Sequence, residues 1–423
     1  MQAKGTLGLI ATNTVAQGDT REVGLDAMVA DGFTITRAIQ SRPWPAASAN
    51  LEYAAVWGTV GRVPDDLPRI ADDIPVARIS TLLEPTGRVT GMPTRLTENA
   101  GIAFIGCNVN GKGFEVPPSI AQEMIGEDVQ NSEVLRPFLG GEDVNQVPDL
   151  CAPMWVVDFY PRELDEARIY SAPIAWLEKN VRPHREGLKN KPKLGERWWR
   201  YERDAVAMRA ATKSLREVLV IALVSKTVMT VRVPTGQVFS HALAVFATAD
   251  YGDQAVLSSS LHQLWAITYG STLETRVRYA PSDVFETFPL PTSTGRLSAA
   301  GRELDVARRE VMLRRNLGLT KLYNLVDDEA VANDPDVERL RQIHVEIDEA
   351  ATEAYGWGDL HLDHGFHIFR QVKRWSVGGT ARVALLDRLL LENQRRASAN
   401  GLFPAVPSPH ETTVPDRSGT LFD

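Results

Sequence analysis

The spacing of apolar residues changes character twice along the chain, which restricts the fold to a few mixed architectures. Up to about residue 65 the apolar residues form compact runs. Residues 7–12 (LGLIAT), 33–38 (FTITRA) and 51–60 (LEYAAVWGTV) read as strands, with a helix expected over 22–30. From residue 66 prolines, glycines and turn pairs such as Asn110-Gly111 and Gly140-Gly141 cut the runs short. Strands are expected there at 155–159, 218–224, 228–233 and 242–247, with one helix at 254–268. After Pro289-Leu290-Pro291 the pattern turns helical, at 297–315, 337–354 and 382–395; the second stretch carries Val337, Leu340, Ile343, Ile347 and Ala351 at helical spacing. The tail from Ser408 onward is polar and expected to lack fixed structure. The chain therefore reads as α+β in three parts: a fragment of an α/β sheet (1–65), a β-rich domain (66–295) and a helical region (296–423).

A chain of 423 residues with 43% apolar content can bury more than one core. Its two cysteines, Cys107 and Cys151, are far apart and outside any CxxC pattern, so neither a disulfide framework nor a thiolate metal site is expected. No run of about eighteen apolar residues occurs, and residues 1–5 lack the features of a signal peptide. A cytoplasmic protein is expected, with no membrane contact. His361, His364 and His367, with Asp359 and Asp363 nearby, invite a metal reading, but the spacing is not that of HExxH and Gly365 would interrupt a helix. A structural turn is the expected reading there, and no metal is called. No GxSxG elbow points to serine hydrolysis.

The net charge of -8 weighs against a dedicated nucleic-acid binder, but the distribution is uneven. Between Lys179 and Arg216 there are twelve Lys or Arg against four acids, a surplus of eight. Trp198, Trp199 and Tyr201 lie among them, so cations alternate with flat rings, as on surfaces that follow a phosphate backbone. The competing reading is a solvated face with buried tryptophan anchors.

Several long phrases resemble the MmeI-like family of fused restriction and modification enzymes. They are residues 8–22 (GLIATNTVAQGDTRE), 135–145 (LRPFLGGEDVN), 155–159 (WVVDF), 276–291 (RVRYAPSDVFETFPLP), 318–325 (GLTKLYNL) and 354–357 (AYGW). Together they span nearly the whole chain. The resemblance implies that residues 1–65 are the tail of a class I methyltransferase α/β sheet, 66–295 a target recognition domain and 296–423 a helical C-terminal domain. It places Met1 inside the catalytic domain, so that a nuclease segment, a helical spacer and the cofactor-binding core would precede this sequence.

The sequence carries neither the glycine-rich loop that would cradle S-adenosylmethionine nor the Asn-Pro-Pro-aromatic or Asp-Pro-Pro-aromatic segment of adenine-specific enzymes. Its only Pro-Pro, Val116-Pro117-Pro118-Ser119, has neither flanking residue. No catalytic residue is therefore assigned, and S-adenosylmethionine is a cofactor by family only.

The resemblance assigns base reading to Glu274, Arg276, Arg278 and Ala242. Alternate spacing on one extended segment would project the first three to the same side. Arg can donate twice to guanine and Glu can accept from the cytosine amine, each discriminating by about 1–3 kcal/mol; the competing reading is an exposed strand with weak ion pairs. Lys189, Lys191, Lys193, Arg197 and Arg200 would grip phosphates. Trp44, between Pro43 and Pro45, would stack on an extruded base, or else is a packed loop anchor. The expected function is sequence-specific recognition of double-stranded DNA within an adenine-N6 methyltransferase, completed by a separate polypeptide. A decayed or truncated DNA-binding remnant and a module turned to protein contact are the alternatives.

Overall fold

A computed structural model describes residues 5–399 except 17, 45–51, 65–66, 82, 87–88, 90–91, 189, 274–275 and 370–371. The expected tail from Ser408 lies outside the described residues.

The first unit is a five-stranded sheet of β1 (Thr6–Thr12), β2 (Phe33–Pro43), β3 (Glu52–Val60), β4 (Arg69–Ala71) and β5 (Ile74–Val76), in the order β1-β3-β2-β4-β5. β3 runs antiparallel to both β1 and β2, and β4 lies parallel to β2. β2 is longer than its apolar run because two register shifts, between Ile35 and Arg37 and between Ile39 and Arg42, let it bend along β3. The helix expected over 22–30 is a succession of helical turns over 18–30, and the strand–helix–strand–strand order holds. Ala16 and Leu25 from the turns between β1 and β2 bury against Phe33, Ile35, Ala38, Ala54 and Val56 in a small core. The sheet continues through Val76, past residue 65 where composition changes. At its other end β1 is an edge strand, and Ile10 on it is 58% exposed.

A short ladder of β6 (Arg78–Ile79) and β7 (Pro85–Thr86) leads into the β-rich part. Its strands are β8 (Ala103–Ile105), β9 (Glu115–Val116), β10 (Leu135–Leu139), β11 (Met154–Val157), β12 (Glu217–Ala222), β13 (Val224–Ser225), β14 (Val231–Pro234), β15 (Val238–Phe239), β16 (Leu243–Phe246), β17 (Ser271–Leu273) and β18 (Arg276–Arg278). They form three small sheets, ordered β14-β12-β16-β8, β15-β10-β11-β9 and β13-β18-β17. The unbroken apolar run of β12 is buried on both faces, which is why it does not alternate.

The expected strand over 218–224 divides at Leu223: β12 stays in one sheet, and β13 crosses to pair with β18. The helix expected over 254–268 is also divided, into Tyr251–Ser258 and Ser260–Tyr269. Ser259 between them is extended, and its side chain accepts from the backbone N–H of His262. Serine satisfies a helix start better than it continues a helix, and the Ser258-Ser259-Ser260 run uses that preference.

The C-terminal helices are Gly295–Arg315, Leu319–Val326, Pro335–Ala354 and Gly379–Ala399. Thr294 and Asp334 cap the first and third through their side-chain oxygens. Val337, Leu340, Ile343, Ile347 and Ala351 are all buried, as their spacing required. A hairpin of β19 (Gly365–Phe369) and β20 (Val372–Ser376) interrupts the helices. This region is not a separate body: one continuous core joins it to residues 103–290. At Gly301 a Cβ would lie 1.9 Å from the Tyr251 carbonyl oxygen, so only glycine lets those two helix backbones touch. The α+β expectation holds. Among the described residues no helix is long and apolar enough to cross a membrane.

Candidate nucleic-acid interface

The segment over 272–279 corrects the expectation of one extended strand. It is an antiparallel hairpin in which Leu273 pairs with Arg276, Thr272 with Val277 and Ser271 with Arg278. Glu274 and Thr275, which join the strands, lie outside the described residues. So does the side chain of Arg276, whose backbone opens β18. Arg278 is exposed and makes no ion pair among the described residues. Its neighbours point the other way: Val277 is 6% and Tyr279 1% exposed.

Tyr279 anchors this strand from below. Its hydroxyl shares a 3.0 Å hydrogen bond with Nε2 of the fully buried His262, whose Nδ1 meets the Leu257 carbonyl at 2.9 Å. Burial lowers the His262 pKa to about 4. The ring is neutral at neutral pH, so it forms both bonds without burying a charge.

Ala242 is brought beside this strand by the backbone. Its carbonyl accepts from Leu223 N–H at 2.8 Å, and the Leu223 carbonyl accepts from Tyr279 N–H at 2.7 Å. Two strand spacings, about 10 Å, separate Ala242 from β18. Ala242 is exposed, and Gly141 packs so closely on it that a Cβ there would sit 3.0 Å from its carbonyl oxygen. Main-chain bonds thus place Ala242 two strands away from the strand of Arg278, and both residues are exposed.

The basic stretch is divided by burial. Lys193 and Arg197 are exposed; Arg197 has Asp204 at 3.9 Å. Lys191 is exposed and pairs at 2.5 Å with Glu202, whose pKa it lowers. Lys189 lies outside the described residues. Arg200 corrects the sequence reading: its guanidinium is buried, donating to the Pro161 and Arg162 carbonyls and to Asp204 at 2.8 Å. It holds two loops together and has no face for a phosphate. Arg185 is likewise buried, donating to the Val109 carbonyl at 2.7 Å and lying over the Phe114 ring. Burial lowers its pKa to about 10. Trp198, Trp199 and Tyr201 are 5–6% exposed, so the rings are core anchors, and only the outer cations remain for a polyanion.

These cations connect to Ala242 through main-chain bonds. Arg203 and Asn108 exchange backbone bonds, and His241 N–H donates to the Cys107 carbonyl at 2.8 Å. Residues 203, 108 and 241 therefore lie on successive tracks leading to Ala242.

Trp44 lies apart, at the end of β2. It is 41% exposed with its ring edge-on to Tyr53 at 5.5 Å, so part of its face is open. Two of the histidines at 361–367 find structural partners: His364 Nε2 meets Asp348 at 2.9 Å and His367 Nε2 meets the Asp363 carbonyl at 2.8 Å. Sequence reasoning missed Lys226, an exposed cation following β13. A lone lysine between two apolar runs was its only signal.

Residues 104–292 match the family model described as the MmeI target recognition domain. No curated protein matches the chain. A solved structure of the Type IIL restriction-modification enzyme MmeI in complex with DNA is similar, with a TM-score of 0.60 at 17% identity, over 94% of this chain and 50% of that one. The chain thus spans about half the length of that protein. The matched segment contains the hairpin, Ala242 and the outer cations, and the resemblance to the MmeI-like family that the sequence phrases carry is borne out.

Proposed function

We propose that this chain reads the sequence of double-stranded DNA as the target recognition part of a restriction–modification enzyme, one that methylates adenine at N6. The carrying observation is Arg278: an exposed guanidinium with no ion pair among the described residues, on a strand locked from beneath by Val277 and Tyr279, with the exposed Ala242 two strands away. A rigid strand presenting free donors is what reading a base edge requires. In this reading Glu274, Arg276, Arg278 and Ala242 select bases. Lys189, Lys191, Lys193 and Arg197 hold phosphates, and Trp44 offers its open face to the extruded adenine.

The described residues do not fit S-adenosylmethionine. β1 runs directly into a helical turn without a glycine loop, and its own Gly8 is covered by Trp57, 3.2 Å from where a Cβ would stand. We therefore assign the cofactor and the methyl transfer to a catalytic segment outside this chain's motifs. The open edge of β1, with Ile10 exposed, favours such a segment adding strands there, whether it comes from a separate polypeptide or not.

The test is selection from a random duplex pool at two salt concentrations. A recovered motif with steeply salt-dependent affinity is expected; a folded protein that enriches nothing and shows no salt slope sinks the reading and favours a protein-binding module. In the same assay the double variant Lys193→Ala and Arg197→Ala is expected to weaken every duplex alike and reduce the salt slope by about two, while leaving the selected motif unchanged. An altered motif would show that these cations do more than hold phosphates.

A further inference from the structure

The C-terminal region holds the recognition hairpin at both of its roots. On one side, Arg374 of β20 donates from Nη1 to the Lys226 carbonyl at 2.7 Å. Lys226 directly follows β13, which pairs with β18 through Val224↔Arg278 and Ser225↔Val277. Asp327 accepts the backbone N–H of the next residue, Trp375, at 3.3 Å, and its carboxylate and the Arg374 guanidinium act on each other electrostatically. On the other side, Asp348 of the helix Pro335–Ala354 is fully buried and accepts the Ser260 N–H at 2.7 Å. Its second oxygen meets His364 at 2.9 Å. Ser260 starts the helix that ends at Tyr269 and runs through Gly270 straight into β17. The far end of that helix abuts β18: a Cβ on Gly270 would stand 3.4 Å from the Arg278 carbonyl oxygen.

Apolar contacts fix distance but let surfaces slide, whereas a charged group bonded to one backbone atom fixes direction as well; Arg374 does so at the surface and Asp348 from a buried carboxylate. We infer that Arg374 and Asp348 are positioning residues for base reading: from the helical region they fix the orientation in which β18 presents Arg278, without touching DNA themselves. The inference rests on the DNA-reading function proposed above. It makes the C-terminal region part of the specificity apparatus.

The experiment compares wild type with Arg374→Ala and Arg374→Lys in two assays. One is binding to the selected duplex, to its single-base variants and to unrelated duplex. The other is hydrogen exchange without DNA at the Tyr279 amide, which donates to Leu223 beside β13. Arg374→Ala is expected to speed that exchange and to lower discrimination between the selected duplex and its variants by about tenfold, with affinity for unrelated duplex unchanged. Lysine, which can still donate to the carbonyl, is expected to restore both. Unchanged exchange and discrimination in a folded alanine variant overturn the inference. So does a parallel fall in specific and unrelated binding that lysine does not rescue, since that is the mark of a general structural role. If Arg374→Ala does not fold, Arg374→Gln, which keeps a donor but no charge beside Asp327, carries the same comparison. If the wild type selects no motif, the DNA reading fails, and the exchange assay alone decides the clamp: faster exchange in the variant upholds it and unchanged exchange overturns it.

Discussion

Replacing Arg278 with alanine is expected to erase selection at one base pair of the recovered motif while leaving binding to unrelated duplex nearly intact. The guanidinium is exposed and has no ion pair or hydrogen bond among the described residues, so its removal breaks no polar contact among them. The strand is held by Val277 in the core, by the Tyr279 amide on Leu223 and by the Tyr279 hydroxyl on His262, none of which the substitution touches. A bidentate contact to a base is worth about 1–3 kcal/mol of discrimination, so the ratio of selected to single-base-variant affinity should fall by between about five- and 150-fold. Thermal stability should stay within about 0.5 kcal/mol, as for other surface changes. Quantitative binding to duplexes differing at each position in turn reads the result. A uniform loss at every position would make Arg278 a phosphate contact, and no loss would remove it from the interface. Arg278→Lys separates charge from geometry: lysine keeps the charge but loses the planar fork, so most of the discrimination should still be lost.

What could be read from the sequence was whatever depends on period. The apolar run at 218–221 and the helical stripe from Val337 to Ala351 are each buried as their spacing demanded, because burial on a regular element is a local matter once the element is known. The misread features depend on contacts far away in the chain. An alternating pattern over 272–279 looks the same whether the strand continues or turns. Glu274-Thr275 carries none of the glycine or asparagine that usually betrays a tight hairpin. Arg200 looked like its neighbours Arg197 and Lys193, and only the carbonyls of Pro161 and Arg162, nearly forty residues away, decide that it is buried. The same holds for the tryptophans: composition showed rings among cations, and tertiary packing turned the rings inward. The clamp from Arg374 to Lys226 joins positions 148 residues apart, beyond any pattern in one sequence.

Acid is expected to destabilise the fold through two buried imidazoles, and the effect should be the largest of any single-residue origin. His262 and His344 are each held neutral by burial, with pKa values lowered to about 4. His262 faces the Leu257 carbonyl, the Tyr279 hydroxyl and the edge of the Phe288 ring. His344 meets the Tyr323 hydroxyl at 2.8 Å, with Asp348 of its own helix and Arg308 and His364 from elsewhere acting on it. In the unfolded chain an imidazole takes up its proton near pH 6.5, so between that value and the folded pKa the unfolded state binds more protons and stability falls as pH falls. The stabilisation is complete above about pH 6.5 and is lost as pH falls towards 4; at pH 5 the loss is about 2 kcal/mol per histidine, roughly 4 together. Asp327 acts in the opposite sense, because burial raises its pKa to about 6 and its contribution is present at low pH and lost as pH rises. Total stability against pH therefore mixes signs, and the decisive quantity is a difference between variants. Denaturant midpoints at pH 7 and pH 5 for wild type, His262→Gln and His344→Gln should show each variant shedding about 2 kcal/mol of the pH dependence, whatever it loses at pH 7. A glutamine variant that keeps the wild-type dependence would mean that its imidazole is already charged in the folded protein. For His262 that would also undo the account of how Tyr279 is held, because a ring protonated on both nitrogens could only donate to the tyrosine hydroxyl and would carry a buried charge beneath β18.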